Sequence, residues 1–315
     1  MLILKNLLCY TVKSSTLYKR LNLEKFLDIY QLDLIETTKK LFSVLTISSI
    51  FIGIAGFFLV YLGFLFLGVN PCILTCSSVA LMTFGVYSFD KLTGSDEDGV
   101  NTPERARFFS GRRNLAKLSS VGAYSLAIIL TILSKPLAIL IMLSPVMANA
   151  IYASRLHPGV PRLKDIPIVK NITVAFIWAA GGALLPALSM SHKQNILVVM
   201  VFYFMAAKMF INTVLYDIRD LKGDGENGVK TMPIILGEQK TLGVLLCINS
   251  TLLLWLTFAN VNIKPLAALM ILYGYFYILY FRKRRNSLVL DFFVDGEWIL
   301  AGILLLALKG FGLWT

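Results

Sequence analysis

Nine apolar stretches of roughly membrane-spanning length divide this chain of 315 residues, over about 42–67, 72–90, 114–134, 136–154, 168–190, 195–216, 237–259, 264–281 and 289–312. A helix that crosses the hydrocarbon core needs about 20 largely apolar residues. The pattern therefore predicts an all-α polytopic membrane protein of about nine helices. Composition agrees, since 57% of residues are hydrophobic, 15% are charged, and the mean hydropathy is +0.73. The third and fourth runs are separated only by Ser134-Lys135-Pro136, which reads as a tight helical hairpin. Ahead of the first run, Leu23, Phe26, Leu27, Tyr30 and Leu34 recur among charges at a spacing that predicts an amphipathic helix on the membrane surface. The division expected is an interfacial segment over 1–41 and a membrane domain over 42–312. Met1–Tyr10 carries Lys5 and no small-residue cleavage site, so it does not read as a signal peptide.

Lysine and arginine set the expected orientation. Loops after the second, fourth, sixth and eighth runs hold most of them, for example Lys91, Arg105, Arg107, Arg112 and Arg113, and then Arg282, Lys283, Arg284 and Arg285. The opposite side has little beyond Lys135, Lys193, Lys264 and Lys309. Basic loops stay in the cytoplasm, which puts the N-terminus inside and the C-terminus outside. The net charge of +12 then reports loops facing anionic lipid, and an anionic substrate, rather than nucleic acid. Four scattered cysteines and two histidines make no zinc set.

Two acidic turns fall on that basic side. Asp217, Asp220 and Asp224 end the sixth run at i, i+3 and i+7, so a continued helix carries all three on one face. Asp90 ends the second run, followed by Asp96, Glu97 and Asp98. Each turn leads into a similar tail, Asp98-Gly99-Val100-Asn101-Thr102-Pro103 and Asn227-Gly228-Val229-Lys230-Thr231-Met232-Pro233. Helices 1–4 and 5–8 thus read as two copies of a four-helix unit, with a ninth helix appended, and repeats of this kind place a site between the halves. Converging carboxylates at a helix end call for a cation, and Mg²⁺ takes one or two carboxylates together with phosphate oxygens and water. Two such turns across an apolar cavity suit a diphosphate that carries an isoprenoid tail.

With these residues in place, the chain resembles the UbiA-type integral-membrane prenyltransferases over about residues 42–312. That family has nine helices around a central cavity, and its two Asp-rich motifs bind Mg²⁺ and a prenyl diphosphate. Asp217, Asp220 and Asp224 match its D-x-x-D-x-x-x-D pattern. The first motif departs from N-D-x-x-D-x-x-x-D, because Val86 and Tyr87 stand where Asn-Asp is expected and Gly94 where the last Asp is expected. Asp96, Glu97 or Asp98 just beyond is the expected replacement, and Asn101, Pro103 and Arg105 resemble the N-x-P-x-R segment that follows.

The resemblance implies metal ligation by Asp217, Asp220 and Asp224, and by Asp90 with Asp96 or Asp98. Arg105, Arg219 and Lys222 are the candidates for diphosphate contact. Weaker candidates near the substrate are Tyr152 and Arg155 at the end of the fourth run, and Lys208 and Asn212 in the sixth. Lys164 and Lys170 read more simply as basic anchors. Asp291 at the start of the last run reads as solvated, and Asp295 as facing the cavity mouth or pairing with a basic residue. The implied activity is Mg²⁺-dependent ionisation of a polyprenyl diphosphate and prenyl transfer to a lipophilic acceptor within the bilayer. Terpene cyclisation without an acceptor is the alternative. An ion transporter is a third reading, opposed by the lack of acidic residues in the middles of runs 1, 3, 5 and 7.

Overall fold

The computed structural model of the protein describes residues 36–93, 108, 113–153, 166–191, 194–226, 228–283 and 286–312. The chain divides into two compact units, 1–45 and 46–315. Of the first, residues 36–45 are described, and they belong to helix α1 (Glu36–Ile47), where Glu36 and Lys40 pair at 3.3 Å across one turn. The interfacial helix expected around 21–41 lies almost wholly outside the described residues.

The second unit is built from helices α2 (Ile50–Phe66), α3 (Ile73–Thr93), α4 (Arg113–Ser134), α5 (Ile139–Ala153), α6 (Val169–Ala187), α7 (Asn195–Glu226), α8 (Met232–Leu236), α9 (Glu238–Phe258), α10 (Lys264–Tyr280), α11 (Ser287–Val294) and α12 (Gly296–Gly310). All nine apolar runs are thus helical, and no strand occurs among the described residues. Five helices, α3, α4, α6, α7 and α9, are long and apolar enough to cross a membrane, with a sixth span if α1 and α2 count as one broken helix. The shortfall from nine has local causes. Helices α2 and α10 have 17 residues each, or about 26 Å of rise. Pro145 lies inside α5, and the last run breaks at Asp295 into α11 and α12.

α3 packs along α2 and α4, α6 along α7, α9 along α10, and α12 along α2. The tightest crossing joins α2 to α6. Pro186 has no N–H to give the carbonyl of Gly182, and α6 widens into a π turn over Ala180–Leu184. That carbonyl then sits against α2, where a Cβ on Gly63 would collide with it. Small residues let membrane helices approach in this way. One core cluster, including Leu59, Phe64, Phe204, Met205 and Trp255, fills the space between α2, α6, α7 and α9. A second, including Ile211, Leu215, Leu245 and Tyr277, lies further along α7.

Large apolar side chains also cover the outside. Leu115, Leu118, Ile129 and Leu133 on α4, and Leu269, Leu272, Phe276 and Leu279 on α10, are exposed. Faces of this kind are stable in hydrocarbon and not in water. This is an integral membrane protein.

Candidate active site

Acids and bases from separate helix ends meet in one cavity of about 410 Å³ in the second unit. Its polar lining comes from helix ends: Asp90 and Lys91 from the last turn of α3, Lys170 from the first turn of α6, Arg219 and Asp220 near the end of α7, and Asp291 from α11. Its apolar lining comes from inner turns of the same helices, such as Val79, Met82 and Val86 of α3, Val174 and Ile177 of α6, and Met209 of α7. The helices therefore deliver charge at one end and hydrocarbon along the rest. Between the two, the Trp178 indole N–H donates to the Tyr87 hydroxyl at 3.0 Å.

α7 runs unbroken to Glu226, so Asp217, Asp220 and Asp224 keep the helical register expected. Asp217 is 4% exposed and accepts from Asn171 Nδ2 at 2.8 Å. Both oxygens of Asp220 accept from Arg219, at 2.8 and 2.7 Å. Arg219 also donates to Ser287 Oγ at 3.2 Å, faces Asp291 at 3.8 Å, and lies 4.8 Å from the centre of the Tyr216 ring. Asp224 does not line the cavity. It lies seven residues, or about 10 Å of helix rise, beyond Asp217. Lys222 is exposed and likewise outside the lining.

One face of α7 is stitched to the last three helices by polar contacts at successive turns. Lys208 pairs with Glu297 at 2.6 Å and donates to the Met270 carbonyl at 3.0 Å. Asn212 Nδ2 donates to the Val294 carbonyl at 3.4 Å, and Asn212 Oδ1 accepts from Tyr277 at 3.2 Å. The Tyr216 hydroxyl lies 3.1 Å from Asp291 Oδ1 and 2.8 Å from Asp295 Oδ2.

Several expectations change here. Lys208 is not in the cavity: it is fully buried and its ammonium belongs to Glu297. An unpaired ammonium at that depth would be costly, which is why the helix pair supplies a carboxylate. Asp291 is not solvated but 9% exposed and committed to Tyr216 and Arg219. Lys222 and Asp224 stand outside the lining, as above. Lys170, read as an anchor, lines the cavity. Asp90, Asp217, Asp220, Asn212, Arg219 and Asp295 are brought together in it. Arg105, Asp96, Asp98, Arg155 and Lys164 lie outside the described residues, and of Tyr152 only its place in α5 is described.

Sequence reasoning missed Asn171, Trp178 and Glu297. Glu297 carried a signal, since an acid inside an apolar run demands a partner. Asn171 carried none, because its role depends on α6 lying against α7.

The sequence profile of the UbiA prenyltransferase family matches residues 49–294. A relative from Natronomonas pharaonis, named digeranylgeranylglyceryl phosphate synthase, is 28% identical over 180 residues, which is 53% of this chain and 61% of that protein. One of the same name from Sulfolobus acidocaldarius is 28% identical over 213 residues, 64% of this chain and 73% of that protein. The chain thus spans about three fifths of the first relative's length. In fold it is similar to a UbiA homolog from Archaeoglobus fulgidus bound to GPP and Mg²⁺, with a TM-score of 0.59 at 18% identity over 82% of this chain and 98% of that one. The same homolog bound to DMAPP and Mg²⁺ gives 0.57 at 17% identity.

Proposed function

This chain belongs to the UbiA prenyltransferase family, and from that membership we propose that it transfers a prenyl group from a polyprenyl diphosphate to a lipophilic acceptor, with Mg²⁺ as cofactor. The observation that carries the reading is the single cavity in which Asp90 of α3 meets Asp217 and Asp220 of α7 at the charged end of an apolar channel. A diphosphate needs the charged end and an isoprenoid tail needs the apolar one.

The donors suit the metal. They are carboxylate oxygens, and among the described residues no three acidic, histidine or cysteine side chains converge on one point. Mg²⁺ draws only one or two ligands from protein and takes the rest from phosphate and water. Asp90, Asp217 and Asp220, which line the cavity, would hold it. A metal held there would supply positive charge to offset the charge that grows on a diphosphate leaving group.

The chain's own residues do the rest. Asn171 fixes the Asp217 carboxylate. Arg219 supplies a guanidinium suited to phosphate oxygens and, bound bidentately to Asp220, keeps that acid oriented. The apolar turns of α3, α6 and α7 exclude water from the allylic cation, and the ring faces of Tyr87 and Trp178 border the same space. The names of the relatives favour an acceptor built on glyceryl phosphate, whose reacting group is a hydroxyl. No feature of the cavity favours cyclisation over transfer. The basic loops support an arrangement with the charged end of the cavity in the cytoplasm.

The test is incubation of purified protein with geranylgeranyl diphosphate, with Mg²⁺ or EDTA, and with or without a prenylated glyceryl phosphate. Expected is Mg²⁺-dependent formation of the prenyl ether with stoichiometric diphosphate release. Release with a cyclised hydrocarbon and no acceptor would sink the transferase reading. Absence of release at every chain length tried would sink the enzyme itself.

A further inference from the structure

Transfer to a hydroxyl leaves one proton without an owner. The C1–O bond of the prenyl diphosphate breaks with its electron pair going to diphosphate, a lone pair of the acceptor oxygen forms the new C–O bond, and the hydroxyl hydrogen departs as a proton. Resting on the transferase reading above, we propose that Asp295 is the catalytic base that takes this proton.

Five carboxylates line the cavity among the described residues, and four have other work. Asp90, Asp217 and Asp220 stand where diphosphate and metal are expected, and Asp291 faces Arg219 and Tyr216. Asp295 differs. Among the described residues its side chain makes no ion pair at contact distance, although the charges of Lys91 and Arg219 reach it, and it accepts from the Tyr216 hydroxyl on Oδ2. A cavity-lining carboxylate with no cation in direct contact among the described residues is available to accept a proton.

The fold also builds its placement. Asp295 stands between α11 and α12 with helical backbone angles, its N–H still bonded to the Asp291 carbonyl, and it lines the cavity. The stretch around it is pinned from both sides by α7. Asn212 holds the Val294 carbonyl before it, and Lys208 holds Glu297 after it. Lys208, Asn212 and Tyr216 are spaced at i, i+4 and i+8, so one helix face sets the position of one carboxylate. Acids inside apolar runs are costly enough that they mark function.

The test uses full-length protein in detergent and the variants Asp295→Asn and Asp295→Ala. Two quantities are measured: prenyl ether formation, and Mg²⁺-dependent binding of geranylgeranyl thiolodiphosphate, which does not ionise readily. Expected for Asp295→Asn is a loss of transfer of about 100-fold or more, the scale of a general base, with analogue binding within about twofold of wild type. Formate added to Asp295→Ala should restore transfer and leave wild type unchanged. Transfer within about threefold of wild type in Asp295→Asn would overturn the proposal, because the departing diphosphate then takes the proton. Parallel loss of binding and transfer without formate rescue would overturn it too, by making Asp295 a structural residue. Should Asp295→Asn fail to fold, rescue of Asp295→Ala decides alone. Wild type that releases diphosphate yet makes no ether with any hydroxyl acceptor would fell the transferase reading instead, an outcome visible before any variant is made.

Discussion

Removing the Lys208 ammonium tests whether this residue serves the fold or the substrate. Its Nζ lies 2.6 Å from Glu297 Oε1, with both side chains within 2% of full burial. At that separation and an effective dielectric constant of about 20, the attraction is about 6 kcal/mol. Desolvation of the two ions costs several kcal/mol each, so the intact pair contributes little net stability, while removing one partner costs about 3–5 kcal/mol. The two single changes are not equivalent. Without Glu297, Lys208 keeps the Met270 carbonyl at 3.0 Å and the Tyr277 ring at 4.9 Å. Without Lys208, Glu297 keeps only the Tyr277 hydroxyl at 3.3 Å. Lys208→Met should therefore destabilise more than Glu297→Gln, and Lys208→Met/Glu297→Leu should recover most of the loss, as apolar replacement of a whole buried pair usually does. Denaturant unfolding in mixed micelles of wild type, Lys208→Met, Glu297→Leu and the double variant, set out as a double-mutant cycle, should give a coupling of about 3 kcal/mol. A Lys208→Met protein with unaltered stability and lost prenyl diphosphate binding would refute the reasoning and return the ammonium to the cavity.

Asp217→Asn and Asp90→Asn should each lower prenyl transfer about 100-fold or more, with thermal midpoints near wild type, because Asn can still accept from Asn171 and Asp90 is exposed. Loss of fold in either would mark a structural acid. Lys222→Ala should leave the rate within about twofold, as an exposed side chain outside the cavity, whereas Arg219→Ala should raise the KM for prenyl diphosphate; equal effects would contradict the placement of both. Gly63→Val should destabilise by about 1–3 kcal/mol in an unfolding assay, since its side chain meets the Gly182 carbonyl. An unchanged midpoint would mean that α2 and α6 are not in contact there. Chelation with EDTA should abolish activity and excess Mg²⁺ restore it, measured as diphosphate release.

The reach of the sequence differs from one element to the next. The apolar runs are a property of local composition, so helical class and membrane residence could be read from them directly. The i, i+3, i+7 register of Asp217, Asp220 and Asp224 was equally local, and α7 keeps it through Glu226. Spacing along one helix gives direction around its axis, but not where the neighbouring wall ends. That is why Asp224, correct in azimuth, lies beyond the cavity while Asp217 and Asp220 line it.

Partners that come from distant segments were beyond local reading. Lys208 and Glu297 are 89 positions apart, and each alone looks like a charge in search of a function. Only the packing of α7 against α12 makes them a pair. Asn171 became the orienting group for Asp217 because α6 lies along α7. Asp291 sits where a loop would meet water, and tertiary packing buried it against Arg219 instead. Chain composition thus determined which solvent this protein folds in and which helix ends carry charge, since both follow from residues close in sequence. Tertiary structure decided which of those charges face a substrate and which neutralise each other, because electrostatic partnership depends on distance in space.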